Sequence, residues 1–110
     1  MATTTEYMHY VCERLDAFGA IRSKKMFGEY MVYLNDKPIL SICDNTVFVK
    51  KLPAIEALMG NADCGLPYEG AKEHYILDID DGALLQELIP LLEAATPLPR
   101  PRVKRPESDI

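Results

Sequence analysis

At 110 residues the chain has the length of one domain, enough to bury a core without help from disulfides or metal. A hydrophobic fraction of 48% and a charged fraction of 26% place it among ordinary globular domains and away from disordered or membrane-spanning chains. The net charge of −5 is uneven: residues 1–96 hold 8 basic and 15 acidic residues, a charge of −7, while residues 97–110 hold 4 and 2. An acidic body repels phosphates and argues against wholesale nucleic-acid binding.

The predicted elements begin with a helix from about Glu6 to Phe18. Thr3 and Glu6 have the spacing of a capping box. Met8, Val11, Leu15 and Phe18 recur at helical spacing and make one apolar face, with Tyr7, Tyr10, Glu13 and Arg14 off it or at its border. His9 reads as a solvated residue. Gly19 is placed to end the helix in the left-handed conformation. Ile21 to Lys25 is a short basic segment.

The stretch Met26 to Lys50 then organises the chain. Met26 to Leu34, rich in aromatics and valine, is predicted as one long strand, with Gly28 marking a bulge or a close backbone approach. Asn35 to Pro38 reads as a turn and Ile39 to Cys43 as a second strand. Asp44-Asn45 is a tight hairpin turn leading to a third strand, Thr46 to Lys50. Connections this short exclude crossovers, so the strands form an antiparallel meander. In the third strand Val47 and Val49 alternate with Phe48, which leaves its core face open. If helices cover one side of the sheet, some of Tyr30, Tyr33, Phe48 or Ile42 stays exposed, and an exposed apolar patch marks a contact surface.

Pro53 to Met59 is a short helix with proline in its first turn. Ala62 to Lys72 is a loop, broken by Gly65, Pro67 and Gly70. Tyr75 to Ile79 is a further strand with Tyr75, Leu77 and Ile79 on one face. Asp80 or Asp81 caps a last helix whose stripe is Leu84, Leu85, Leu88, Ile89 and Leu92. Pro90 should kink that helix, or divide it after Ile89. From Pro97 to Ile110 the chain is a proline-rich basic tail without regular structure. The domain proper is residues 1–96. The fold class is α+β in two layers, an antiparallel sheet of about four to five strands against helices.

Chemistry is sparse. Cys12 and Cys43 fall in predicted helix and strand and read as small buried hydrophobes. Cys64 and His74 share one loop and could form a nucleophile and base, with Tyr68 beside them, in an enzyme or small-molecule site. Asp78, Asp80 and Asp81 lack the glycine-centred loop of a calcium site, and helix capping accounts for at least one of them. No cofactor, metal or catalytic residue is expected. Arg22, Lys24 and Lys25, together with Arg100, Arg102, Lys104 and Arg105 of the tail, could contact nucleic acid or an acidic partner. In a three-stranded meander Lys50 and Lys51 would lie at the opposite end from Arg22. The start MATTTEYMHY is not a secretory signal and no apolar run spans a membrane. A cytoplasmic location with reduced thiols and no membrane partner is expected.

The run from Arg22 to Tyr33, R-x-K-K-MFG-E-Y-x-V-Y, followed by a turn and an apolar hairpin ending in V-F-V-K, resembles the TfoX N-terminal-domain family. Arg22, Met26, Phe27, Gly28, Tyr30 and Tyr33 carry the likeness, and Pro67-Tyr68 and the closing leucine helix extend it from about Tyr7 to Ala95. Glu29 stands where members often have a second glycine. The resemblance implies a two-layer α+β fold akin to type III secretion chaperones, and a bacterial protein related to competence regulators. It implies a regulatory, non-enzymatic role in transcription, through binding of a macromolecular partner. With the surplus of apolar sheet residues it suggests a homodimer that also meets an unidentified protein.

Overall fold

A computed structural model describes residues 3–26 and 29–98. Three helices lie on one face of a six-stranded antiparallel sheet, the α+β class expected, with strand order β1-β2-β3-β4-β6-β5. The strands are β1 (Ile21–Met26), β2 (Glu29–Leu34), β3 (Lys37–Cys43), β4 (Thr46–Val49), β5 (Cys64–Gly65) and β6 (His74–Leu77). The helices are α1 (Thr5–Leu15), α2 (Glu56–Met59) and α3 (Gly82–Ala95), with single 3-10 turns at Asp16–Phe18 and Pro53–Ile55.

Helix α1 forms where the apolar spacing places it. Met8, Val11 and Leu15 are all buried. Its cap is Thr4 rather than Thr3: the Thr4 hydroxyl accepts from the Tyr7 amide at 3.2 Å. Thr3 is instead drawn into the fold. Its hydroxyl lies 2.7 Å from Glu29 Oε1 and takes the Asn45 amide at 3.3 Å. A buried hydroxyl needs such partners, and tertiary partners outcompeted the local cap. Gly19 also departs from expectation. Its φ of 152° and ψ of −160° are not those of a left-handed helical cap, but the positive φ still favours glycine.

The largest correction concerns Met26 to Leu34. It is not one strand with a bulge. Met26 pairs with Glu29, and β1 runs antiparallel to β2 with Ile21 opposite Leu34. The chain therefore reverses between Met26 and Glu29, and the basic segment Ile21 to Lys25 becomes a strand. The meander has four strands rather than three. Two hairpins follow on two-residue turns, Asn35-Asp36 and Asp44-Asn45, all four residues at φ between 50° and 68°. These are the conformations that asparagine and aspartate tolerate and that match strand twist. Lys37 and Pro38, read as turn, belong to β3. The register skips Ile39, since Val32 faces Leu40 while Tyr33 faces Pro38. Proline cannot donate to the ladder, and the irregularity sits beside it.

Each turn asparagine also ties a helix to the sheet. Asn45 Oδ1 accepts from the Thr4 amide at 2.9 Å. Asn35 Oδ1 accepts from the Ala20 amide at 3.0 Å, and its Nδ2 donates to Glu93 of α3 at 2.8 Å. Lys37 Nζ donates to the Glu93 carbonyl at 3.0 Å, a cation at the negative end of α3.

The loop Ala62 to Lys72 contains β5, whose Gly65 pairs with His74. Asp81 caps α3 through Leu84 N at 3.0 Å. Helix α3 runs unbroken across Pro90, so it does not stop at Ile89. Pro90 is exposed, while Leu85, Leu88, Ile89 and Leu92 are buried. The core joins these leucines and the α1 face to Tyr30, Val32, Leu34, Leu40, Ile42, Val47, Val49, Tyr75 and Leu77. Val47 and Val49 thus face the helices, which answers the question β4 left open. Among the described residues, no helix is long and apolar enough to cross a membrane.

Burial acts on the thiols. It pushes the pKa of Cys12 and Cys43 above the ordinary 9.0, with Asp16 and Glu29 adding to the respective shifts. Tyr7 rises above 10.0 through burial and then Asp80 and Asp78. A group whose pKa is higher folded than unfolded contributes stability below its unfolded pKa and loses it as pH rises through the folded one. The melting temperature should therefore fall as pH climbs past about 9. In the Cys12→Ala, Cys43→Ala double variant that decline should be shallower between about pH 9 and 10.

Candidate interaction surface

The face of the sheet opposite the helices is set by register. Residues directly opposed in a ladder share a face. Lys24 faces Met31, Met31 faces Ser41, Ser41 faces Phe48, and Phe48 faces Ile76. One row therefore crosses five strands on the outer face, beginning with a cation and ending with isoleucine. Arg22 opposite Tyr33 begins a second row. Among the described residues, no helix packs over these rows.

The outer row is partly self-covering. Met31, Tyr33 and Ile76 are half-buried, and Phe48 is only 6% exposed. Gly65 makes room for this: a Cβ there would sit 3.3 Å from Ile76 Cδ1 and 3.4 Å from Phe48 Cε1. A cavity of about 110 Å³ is lined by Met31, Ser41, Phe48 and His74 together with Leu40 of the core and Leu92 of α3. In the loop directly after β5, Leu66 and Tyr68 stand 57% and 68% exposed. None of the four residues among which an exposed patch is expected is exposed: on the outer face Tyr33 is half-buried and Phe48 buried, while Tyr30 and Ile42 are core, because neighbouring side chains of the sheet and the β5 segment pack around them.

The residues carrying the family likeness split between the two faces. Tyr30 is buried under the helices. The Arg22 guanidinium lies over the Tyr33 ring at 4.1 Å and reaches Asp36 at 3.3 Å. Met26 ends β1 and is exposed, and Phe27 and Gly28 lie outside the described residues. The basic trio divides as well. Arg22 and Lys24 point outward, while Lys25 shares the helix-side face with Tyr30 at the sheet edge. The tail cations Arg100, Arg102, Lys104 and Arg105 lie outside the described residues.

The fourth strand corrects the expected placement of Lys50. Strands β1 and β4 run in opposite senses, so the start of one and the end of the other lie at the same end of the sheet. Arg22 and Lys50 therefore share an end, with β2 and β3 between them. Lys51 is engaged locally, 2.6 Å from Glu73 and 5.4 Å from the Tyr75 ring centre. The Glu73 carboxylate holds its pKa above the ordinary lysine range.

The other candidate chemistry is dispersed. Cys64 pairs with Tyr75 and Gly65 with His74, which puts the Cys64 and His74 side chains on opposite faces. His74 Nδ1 lies 2.7 Å from the Lys72 carbonyl. Asp78 accepts from the Asp80 amide at 3.0 Å, Asp80 accepts from the Tyr10 hydroxyl, and Asp81 caps α3. The described residues hold no group of three or more potential metal ligands. A cleft of about 340 Å³ lies between Leu58, Met59, Ile76 and Leu84, with Asn61, Asp63 and Asp78 also lining it. Neither Cys64 nor His74 lines that cleft.

The thiols differ in access: Cys64 is exposed, Cys12 half-buried and Cys43 buried. A maleimide at neutral pH should modify Cys64 first and leave Cys43 until the protein unfolds, as intact mass over time would read. Modification of Cys43 at the Cys64 rate would contradict the packing of β3.

Sequence reasoning missed Met31, Ser41, Gly65 and Ile76 as outer-face residues. The alternation in Glu29 to Leu34 held the signal, but it reads in register only once β2 is separated from β1.

Comparison with known proteins agrees with the architecture. The sequence profile of the TfoX N-terminal domain matches residues 13–86. The "Uncharacterized 12.7 kDa protein in trpE 5'region" of Spirochaeta aurantia is 33% identical over 104 residues, covering 93% of this chain and 90% of that one. The chain therefore belongs to the TfoX N-terminal domain family.

Proposed function

We propose that this protein is a non-enzymatic regulatory interaction module of the transcription- and competence-related kind, working in the cytoplasm. In this reading it acts by binding a macromolecular partner and pairs with a second copy through the outer sheet face. The row Met31–Ser41–Phe48–Ile76 supports this, because it crosses four strands and carries apolar side chains on three of them, β2, β4 and β6. Dimers commonly close by burying such a self-complementary patch, and a two-fold axis would set the row against itself. The groups that might have supplied catalysis support it as well, since they are dispersed or occupied in capping and turn contacts.

Sedimentation across nanomolar to high-micromolar protein tests the pairing. A monomer–dimer equilibrium is expected. A monomer throughout would overturn the homodimer and leave the face to a different partner. Retention on duplex DNA at low salt, lost as salt rises, would instead favour a nucleic-acid role for the basic residues.

A further inference from the structure

The sheet has one long open edge. At the far side the edge strand is β5, two residues long. At the near side it is β1, six residues long, with β2 as its one neighbour in the sheet. Among the described residues nothing pairs with its outer side. Its backbone orientation follows from one bond. The Asn35 amide donates to the Ala20 carbonyl at 2.7 Å, so Ala20 and Asn35 form a hydrogen-bonded pair. Such pairs alternate in an antiparallel ladder. Arg22, Lys24 and Met26 therefore bond to β2, while Ile21, Ser23 and Lys25 turn their N–H and C=O groups away from the sheet.

The two sides of this edge differ chemically. On the outer face stand Arg22 and Lys24, both exposed. On the helix side stand half-buried Ile21 and Ser23, with Ser23 Oγ 3.4 Å from Met8 Sδ of α1 and Cys12 half-buried on the same helix. Lys24 and Lys25 make no ion pair among the described residues. Lysines on an edge strand ordinarily guard against indiscriminate pairing. Here they also select. A second copy of β1 would bring cations against cations, a destabilising arrangement. An acidic strand meets the opposite.

We propose that β1 is a docking edge for an extended acidic segment of another protein, added as a seventh strand. Its acidic residues alternate with apolar ones: the acids lie beside Arg22 and Lys24, and the apolar residues lie toward Ile21 and α1. Main-chain bonds to Ile21, Ser23 and Lys25 hold the segment, and the alternation provides selectivity. This goes beyond the outer-face reading and uses a different surface.

The probe is a short fluorescein-labelled peptide of alternating glutamate and valine, titrated by anisotropy into the full chain. Its lysine–valine counterpart is the control. Lys24→Glu should weaken binding by about tenfold or more, and Lys25→Glu, on the other face, by less than about threefold. Ser23→Pro removes an outward N–H at a position where an edge strand accepts proline, and should abolish binding. Should that variant not fold, hydrogen exchange on the unmodified protein gives the same reading: the Ser23 and Lys25 amides slow when peptide is bound. Equal losses from Lys24→Glu and Lys25→Glu would overturn the proposal, as would unchanged binding by folded Ser23→Pro or unchanged exchange. Equal binding of the lysine–valine peptide, or displacement of the acidic peptide by a short DNA duplex, would do the same. Peptide binding should survive Ile76→Glu, on the outer face but on β6 at the far side of the sheet from Lys24, so either surface can fail without the other.

Discussion

Gly19→Ala should cost about 2–4 kcal/mol of stability and lower the melting temperature by on the order of 10–20 °C. Two effects combine. The backbone φ of 152° is one that residues with a Cβ rarely adopt. The added methyl would also lie 2.9 Å from the Asn35 side-chain amide and 2.9 Å from Leu34 Cδ1. Neither neighbour is free to move. Asn35 is fixed by the Ala20 amide and by Glu93, and Leu34 is fully buried. Thermal unfolding followed by circular dichroism measures the loss. Combining Gly19→Ala with Asn35→Ala separates the two effects. The double variant should be less destabilised than the sum of the singles, because truncating Asn35 removes part of the clash while the backbone strain remains. A Gly19→Ala protein that melts within about 2 °C of the parent would mean that the helix-to-sheet connection is far softer than its contacts indicate.

The second large effect is on association. Met31→Glu together with Ile76→Glu should weaken outer-face pairing by about a hundredfold or more while changing monomer stability by less than about 1 kcal/mol. Both side chains are half-buried and point away from the core, and Lys24 stands opposite Met31 where it can meet the new carboxylate in the monomer. In a closed interface each copy would bring two further negative charges to an already acidic body, and burying an unpaired carboxylate is costly. Phe48→Ala is the wrong test here. At 6% exposed, Phe48 is packed against its own chain, and truncation would cost about 3–5 kcal/mol and confuse folding with association. Sedimentation of the double-glutamate variant beside the parent gives the answer. If the parent is a dimer and the variant remains one, the contact lies elsewhere on the molecule.

Much of this protein was determined locally and could be read from the chain. The heptad-like spacing of Met8, Val11 and Leu15 specified α1, and the leucine stripe of α3 specified its buried side. Asn35-Asp36 and Asp44-Asn45 placed two reversals, because tolerance of positive φ is a property of the residues themselves. The MFG run with its flanking tyrosines was enough to indicate the family. Tertiary structure alone decided the rest. Whether Ile21 to Met26 is a lead-in or a strand depends on what pairs with it, and pairing energy is non-local. From that one partner followed the parity of the sheet, the end at which Lys50 sits, and the separation of Arg22 and Lys24 from Lys25. The same holds for β5, two residues that are a strand only because β6 lies alongside. Thr3 illustrates it in a single side chain: its spacing from Glu6 suited a local cap, yet Glu29 and the Asn45 amide, distant in sequence, are the partners that folding brought within reach.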